Sequence, residues 1–253
     1  MSPRGSLSEW SFLKNGFAKN IWIKILIKPF VKKIHWHATS EKEKYEILMF
    51  FPEASVQLIS DGVEKIVVVD EDDRWKGEPY IASLGRIHAV KGYDIVIDSM
   101  QEILKIYPQL KFKIAGEDYG ELANLINKTM DLGLDKSIQF VGNLSGNDKL
   151  QFLKNAKCLL MPSHTENFGI VAVESLSCQT PVIASKNTPW QSLEVNGAGL
   201  FVENTSEEFT KAVIKILENE NQFKKNTLIL ANQFRWDIIA KKYKDILSEI
   251  IEE

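Results

Sequence analysis

Hydrophobic and polar positions follow two alternating patterns from about residue 79 to the end of the chain. Short apolar runs alternate with longer stretches whose apolar residues recur at helical spacing, as Val96, Met100 and Ile103 do. The apolar runs predict strands at 79–84, 110–115, 138–141, 157–161, 181–184 and 200–202. The longer stretches predict helices at 93–107, 121–132, 148–155, 169–177, 206–218, 220–232 and 236–251.

This alternation of strands and helices predicts an α/β fold with a parallel, doubly wound sheet. Ligands of such sheets bind at the carboxyl ends of the strands. The segments with candidate chemistry lie at such ends, so the sheet edge is the predicted site.

The first 75 residues follow a different pattern. A helix is predicted at 10–33, a strand at 34–39, a helix at 41–50 capped by Ser40, and a strand at 56–59. Two strands are too few for an independent sheet. A polar stretch at 71–78 is predicted to be a linker. The predicted division is therefore an N-terminal part, 1–75, and a second domain, 76–253, that includes the C-terminal helices.

Composition excludes several classes of protein. The formal charge of −3 does not suggest nucleic-acid binding, although residues 1–45 are basic and the remainder is acidic. The two cysteines, Cys158 and Cys178, are too few for a zinc site or a disulfide framework and are predicted to be buried thiols in a reducing cytoplasm. The start of the chain lacks the apolar segment of a signal peptide, and no apolar run is long enough to span a bilayer.

Two segments contain the strongest candidate chemistry. The segment GRIHAVKG (85–92) follows the predicted strand at 79–84 and brings the cations Arg86 and Lys91 to the sheet edge. The segment ENFGIVAVE (166–174) lies where a strand feeds a helix, with Glu166 before the helix and Glu174 inside it. Backbone N–H groups at a helix N-terminus attract anions. The arrangement suits a ligand with phosphates in the middle and hydroxyls at both ends, as in a nucleotide-sugar.

The order of these motifs resembles the donor-binding half of the group 1 glycosyltransferases, the retaining GT-B enzymes of glycosyltransferase family 4. The matching segments are GRIHAVKG (85–92), AGE (115–117), VGNL (141–144), PSHTENFG (162–169) with Glu174, and TPVIA (180–184). The resemblance implies a Rossmann-like donor domain from about residue 79 onward. The segments SPRG (2–5), HATSEKE (37–43) and ISDGV (59–63) resemble the last third of the family's first domain and its entry into the linker. The resemblance therefore implies a chain truncated at its N-terminus, without most of the acceptor site.

The resemblance also implies roles for individual residues. Glu166, Arg86 and Lys91 are the expected catalytic residues: Glu166 hydrogen-bonds the donor sugar, and the two cations neutralise the leaving diphosphate. Glu174 is expected to accept hydrogen bonds from the ribose hydroxyls. The other expected substrate-binding residues are Gly85, Glu117, Leu144, Asn167, Phe168, Gly169 and Ile170.

No cofactor and no metal are expected, because the cations replace a metal in this family. The run Asp70-Glu71-Asp72 formally fits an Asp-x-Asp metal motif, but acidic runs in polar linkers are common. His35 and His37 are interpreted as structural strand residues.

Residues 19–33 leave a further alternative open. Apolar residues and lysines alternate there in stripes, as Leu26 and Phe30 do beside Lys24 and Lys28. The apolar face either packs on the rest of its domain or contacts a partner or an anionic membrane.

The leading hypothesis is a retaining glycosyltransferase that uses a UDP- or GDP-sugar, acts in surface polysaccharide or glycolipid synthesis, and has no nucleic-acid partner. The alternatives are a nucleotide-sugar-binding subunit that needs a separate acceptor-domain chain, and an inactive truncated remnant. The expected location is the cytoplasm, with peripheral contact at the inner face of the cell membrane left open.

Overall fold

The structure is a computed structural model that describes residues 1–8, 10–11, 16–64 and 77–252. It divides into two compact units. The first unit consists of Met1–Gly62, Thr165–Phe168 and Phe234–Glu253, and the second of Val63–His164 and Gly169–Gln233. The predicted domain boundary at residues 75 and 76 and most of the predicted linker lie outside the described residues. That boundary stays a prediction, and the final helix groups here with the first unit.

The second unit is built on one six-stranded sheet in which every pair of neighbouring strands is parallel. Its strands are β3 (Tyr80–Leu84), β4 (Lys111–Ala115), β5 (Ile138–Gly142), β6 (Leu159–Met161), β7 (Val182–Ser185) and β8 (Gly199–Val202). Their order across the sheet is β5-β4-β3-β6-β7-β8. This order confirms the predicted α/β fold with a doubly wound parallel sheet.

Helices lie between these strands and after the last of them. They are α3 (Tyr93–Ile106), α4 (Leu122–Asp131), α5 (Gly146–Asn155), α6 (Ile170–Ser177), α7 (Ser192–Val195), α8 (Ser206–Glu218) and α9 (Glu220–Ala231). Helix α3 shows why the pattern folds this way, because Val96, Met100 and Ile103 fall on one face and are fully buried. The central strands are buried on both faces, as β7 is along its whole length, which explains their continuous apolar sequences.

The first unit contains α1 (Gly16–Trp22), β1 (His35–Ala38), α2 (Glu41–Phe50), β2 (Ser55–Leu58) and α10 (Trp236–Glu252). Strands β1 and β2 pair in parallel, with His35 opposite Ser55. Trp36 and Phe51 pack with their ring centroids 4.7 Å apart and are almost completely buried. This unit therefore has an apolar core of its own.

The helix predicted at 10–33 differs from the structure in its second half. After α1 the backbone forms a π-helical segment, Ile23–Ile27, and then a 3₁₀ helix, Lys28–Lys33. Pro29 provides the reason, because proline has no N–H to donate to the carbonyl four residues earlier and its ring crowds that carbonyl. The Lys28 N–H instead bonds the carbonyl of Ile23, five residues back.

The predicted cap of α2 is confirmed, since the Ser40 hydroxyl accepts a hydrogen bond from the Glu43 N–H at 3.2 Å. The Glu43 side chain is itself buried and accepts three hydrogen bonds. These come from the Thr39 N–H and Thr39 hydroxyl, both at 2.8 Å, and from the Gly5 N–H at 3.0 Å. One carboxylate thus ties the start of the chain to the start of α2.

Candidate functional site

The order of the strands sets the position of the site. Strands β3 and β6 are neighbours at the centre of the sheet, and the chain proceeds outward from them in opposite directions. In open α/β sheets such a reversal leaves a crevice outside the carboxyl ends of the two strands. The segments that follow β3 and β6 are GRIHAVKG (85–92) and the start of PSHTENFG (162–169). Both belong to the motifs singled out from the sequence.

The loops that follow β3 and β6 pack directly against each other. A Cβ atom on Gly92 would lie 2.2 Å from the Pro162 carbonyl oxygen, so only glycine fits there. The His164 N–H donates a hydrogen bond to the Val90 carbonyl at 2.9 Å. Within the β3 loop, the His88 Nδ1 atom accepts from the Val90 N–H at 3.1 Å and caps a 3₁₀ turn, Ala89–Lys91. The loop after β3 and the loop after β6 therefore hold each other in place at the edge of the sheet.

The two predicted cations both lie in the β3 loop. Arg86 is exposed, and its guanidinium carbon lies 5.3 Å from the centre of the Tyr119 ring. Lys91 is half-buried, and its Nζ atom would lie 3.8 Å from a Cβ atom built on Gly85. The amine of Lys91 therefore lies close to the first residue of the loop, and the structure brings Gly85, Arg86 and Lys91 together.

Neighbouring strand ends are in close backbone contact. The Gly116 N–H donates to the Gly142 carbonyl at 2.8 Å, and a Cβ atom on Gly116 would lie 1.8 Å from the Gly85 carbonyl oxygen. The next residue, Glu117, has an exposed side chain, and its carbonyl accepts from the backbone of the β3 loop. Leu144 is half-buried in the segment after β5. Glu117 and Leu144 therefore both follow strands of the same sheet edge.

Helix α6 begins at Ile170, directly after Gly169, which has the left-handed conformation with φ of 76°. Glycine has no side chain that could cap the first backbone N–H groups of the helix. The partial positive charge of those groups makes the start of α6 suited to an anion. Ile170 is 38% exposed at this end of the helix.

Glu174 is the fifth residue of α6, and its side chain is only 17% exposed. Its Oε1 atom accepts a hydrogen bond from the Lys149 ammonium group at 2.6 Å, and the two form an ion pair. Lys149 lies in the first half of α5 and was missed by sequence reasoning. Its spacing of 25 residues from Glu174 belongs to no helical or strand period, so the sequence contained no signal for this contact.

Asp118 is a second residue that sequence reasoning missed at this edge. One of its carboxylate oxygens accepts hydrogen bonds from the N–H groups of Gly120, Glu121 and Leu122, at 2.8, 3.1 and 3.1 Å. Backbone hydrogen bonding, above all from Leu122, lowers the pKa of Asp118 below its ordinary value. The carboxylate therefore holds the turn that leads into α4.

Residues Thr165–Phe168 belong to the first unit, and α2 and the residues before it position them. The Asn167 carbonyl accepts from the Ser40 hydroxyl at 2.9 Å, and the Asn167 amide donates to the Thr39 hydroxyl at 2.8 Å. The Lys42 ammonium donates to the Thr165 hydroxyl at 2.9 Å. These bonds hold the segment that precedes Gly169 in the chain.

Glu166 is half-buried in this segment. Phe168 is buried, with its ring centroid 5.6 Å from that of Phe234. The structure thus places Glu166, Asn167 and Phe168 in the first unit, and Gly169 and Glu174 in the second. The motif that is continuous in sequence is shared between two units.

The remaining candidates from the sequence are a histidine, the two cysteines and possible metal ligands. The ring nitrogens of His37 lie 3.1 Å from the Ser2 hydroxyl, 2.7 Å from the Ile59 carbonyl and 3.0 Å from the Tyr243 hydroxyl, all within the first unit. Both cysteines are buried and unpaired, as predicted. In the part of the chain that the structure describes, no group of three or more His, Cys, Asp and Glu residues could hold a metal ion. The run at 70–72 lies outside that part.

The sequence profile of the family "glycosyl transferases group 1" matches residues 69–230. This chain belongs to that family. Its Gly-rich β3 loop, its α6 segment and the sheet that supports them all fall within the matched range. The resemblance inferred from the motifs is therefore confirmed.

Curated relatives of modest identity are glycosyltransferases by name. An uncharacterized glycosyltransferase of Methanocaldococcus jannaschii is 26% identical over 198 residues, which cover 76% of this chain and 53% of the relative. A D-inositol 3-phosphate glycosyltransferase of Acidothermus cellulolyticus is 27% identical over 218 residues, covering 77% and 49%. The chain thus spans about half the length of the curated relatives it matches.

Solved structures share the fold. The Anabaena protein HepE, crystallised in complex with UDP, superposes with a TM-score of 0.79 at 20% identity, over 88% of this chain and 66% of HepE. A glycosyltransferase of Rickettsia africae superposes with a TM-score of 0.74 at 20% identity, over 95% of this chain and 68% of that one.

Among the residues that the structure describes, every helix is too short or too polar to cross a membrane.

Proposed function

We propose that the second unit binds the nucleotide part of a nucleotide-sugar and serves as the donor-binding part of a retaining glycosyltransferase. One observation carries the proposal. The cationic β3 loop and the segment leading to α6 follow the two strands at which the order of the sheet reverses. This is the position at which open α/β sheets bind their ligands.

In this proposal the diphosphate lies at the start of α6, where the backbone N–H groups of Gly169 and Ile170 meet its oxygens. Arg86 and Lys91 neutralise the charge that develops on the diphosphate as the sugar leaves. These cations would take the place of a metal ion.

The ribose is assigned to Glu174, whose carboxylate can accept one hydroxyl on each oxygen. Gly85, Glu117 and Leu144 line the same edge, with Leu144 beside the base. For Glu166, Asn167 and Phe168, which belong to the first unit, the roles stay predictions from the family resemblance.

Calorimetric titration with UDP and with GDP tests the proposal. UDP is the first probe because the neighbouring HepE structure contains it. We expect one of the two nucleotides to bind, and we expect Lys91→Ala and Glu174→Ala each to weaken binding about tenfold or more, as loss of a charged hydrogen bond does. Lys105→Ala, in an exposed ion pair with Glu102 on α3, is the matched control and leaves binding unchanged. Absence of binding by the unmutated chain would refute the proposal.

A second candidate is a nucleotide-sugar-binding subunit that needs a separate chain to supply the acceptor half. The observation that favours it is the extent of the match, which spans about half the length of the curated relatives. An assay of sugar transfer by the chain alone separates the candidates. Turnover by the isolated chain would refute the subunit proposal, whereas donor binding without turnover supports it. Neither binding nor turnover would indicate an inactive remnant.

The proposed pathway is the synthesis of a surface polysaccharide or glycolipid, and the surface of residues 16–33 supports a lipid partner. It exposes apolar side chains and lysines together, and this stretch contains no acidic residue. The exposed lysines and large apolar residues are Phe17, Ile21, Trp22, Lys24, Ile25, Leu26, Lys28, Phe30, Lys32 and Lys33. An amphipathic, lysine-rich surface of this kind binds anionic lipid.

Sedimentation with phosphatidylglycerol vesicles tests this surface, and phosphatidylcholine vesicles are the control. We expect binding to the anionic vesicles that the double variant Lys24→Glu, Lys28→Glu abolishes. Equal binding to both lipids would refute the preference for anionic lipid. Binding to neither would refute a lipid partner and would favour a protein that covers this face.

A further inference from the structure

Lys149 is the charged neighbour of Glu174, and nothing in the sequence or in the proposed function assigns it a role. The two side chains form their ion pair at 2.6 Å, with side-chain exposures of 26% and 17%. They are therefore less exposed than a helix-surface pair such as Lys105 with Glu102, at 68% and 61%. A pair shielded in this way is screened less by water and salt than an exposed one.

The geometry leaves one side of the carboxylate open. Lys149 donates to Oε1 of Glu174, and within the described residues Oε2 accepts no hydrogen bond. A carboxylate oxygen has two lone pairs, so Oε1 can accept a second hydrogen bond while it holds the ammonium group. Each carboxylate oxygen of Glu174 can therefore still accept one hydrogen bond. Two adjacent hydroxyl groups of a ligand, such as those of a ribose, need two such acceptors.

The two residues also come from different helices. Lys149 lies in α5, which follows the segment with Leu144, whereas Glu174 lies in α6, which follows Gly169. A glutamate side chain has three rotatable bonds, and fixing them on ligand binding costs conformational entropy. A partner that already holds the carboxylate removes part of this cost before the ligand arrives.

We propose that Lys149 is a positioning residue that fixes the Glu174 carboxylate for the ribose diol and thereby sets the preference of the site for ribonucleotides over deoxyribonucleotides. This inference rests on the proposed function, because it assumes that Glu174 faces the ribose. It adds a residue and a specificity that the proposed function does not include.

The test is the affinity ratio between a ribonucleoside diphosphate and its 2′-deoxy form. Calorimetry compares UDP with 2′-deoxy-UDP, and GDP with 2′-deoxy-GDP, on the full chain. The variants are Lys149→Met, which keeps most of the side-chain length and removes the charge, and Lys149→Arg, which keeps the charge. Lys105→Met removes an ammonium from an exposed pair of the same 2.6 Å length and is the control.

We expect the unmutated chain to prefer the ribonucleotide by about tenfold, the value of one hydrogen bond to a charged group. Lys149→Met should bring the ratio close to one, with the affinity for the 2′-deoxy form unchanged. Lys149→Arg should restore most of the preference, and Lys105→Met should keep all of it. Because a purely structural role would weaken both nucleotides equally, the ratio separates positioning from stability.

The outcomes also separate this inference from the proposed function. If the unmutated chain prefers the ribonucleotide and Lys149→Met keeps that preference, the inference is wrong and the proposed function stands. If the unmutated chain binds both forms equally, the ribose role of Glu174 is wrong, and the inference falls with it while nucleotide binding stands. If neither nucleotide binds, the proposed function itself is refuted.

Discussion

The contact between Gly92 and Pro162 allows a quantitative test of how tightly the two loops of the site are packed. Gly92 has a left-handed backbone, with φ of 62°, and a Cβ atom there would lie 2.2 Å from the Pro162 carbonyl oxygen. Gly133 has almost the same backbone, with φ of 66°, and a Cβ atom there would meet nothing within 4 Å. The two glycines are therefore matched in φ and differ in the steric contact that a Cβ atom would make.

Alanine at either position incurs the cost of a left-handed backbone, about 1–2 kcal/mol, partly offset by about 0.4–1 kcal/mol from the less flexible unfolded chain. Gly133→Ala should therefore lower the free energy of unfolding by at most about 1.6 kcal/mol. Gly92→Ala must in addition move the Pro162 carbonyl by about 1 Å, and overpacking of this kind costs about 1–3 kcal/mol. The expected difference between the two variants is therefore about 1–3 kcal/mol.

Urea unfolding followed by circular dichroism measures both values, with similar m-values expected because the same surface is exposed. Since the displaced carbonyl lies directly after β6, Gly92→Ala should also weaken nucleotide binding, whereas Gly133→Ala should not. An equal loss of unfolding free energy in the two variants would refute the reasoning, because it would mean that the Pro162 carbonyl can move without destabilising the fold.

Two further predictions concern titratable groups. Because the pKa of Asp118 is lower in the folded chain than its ordinary value of 3.8, its stabilising contribution is complete above that pH and is lost as the pH falls through the lowered value. Asp118→Asn should therefore lower the melting temperature near neutral pH, and its difference from the unmutated chain should shrink on acidification below pH 3.8. Asp135→Asn, at an exposed site, is the control. A pH-independent difference for Asp118→Asn, or an equal effect of Asp135→Asn, would contradict this. Burial raises the pKa of the Cys178 thiol to about 12, and Cys158 is completely buried, so Ellman's reagent should modify neither cysteine until the chain is unfolded. Rapid labelling of the folded chain would show that one of these thiols is accessible.

The second unit was predictable from the sequence because its elements are encoded locally. Each strand is a short segment rich in apolar residues that ends near a turn residue, as β5 does: it was predicted at 138–141 and extends one residue further, to Gly142. Its longer helices have one clear apolar face. The short helix α7, Ser192–Val195, was missed because four residues do not complete a helical period that a pattern could reveal.

The site was predictable only in part. The motif residues could be found because they follow strands, and strand ends meet at one edge of a parallel sheet. Lys149 could not be found, because its contact with Glu174 depends on how α5 and α6 pack together rather than on any spacing. Nor could the sequence show that Glu166 and Glu174 belong to different units, because they are only eight positions apart.

The most direct test of the central claim is a crystal structure of the chain soaked with UDP or, if only GDP binds, with GDP. We predict that the diphosphate lies at the start of α6 within hydrogen-bonding distance of the Gly169 and Ile170 N–H groups, with Lys91 beside it and both ribose hydroxyls on Glu174. A nucleotide bound elsewhere, or one with its ribose turned away from Glu174, would contradict the account.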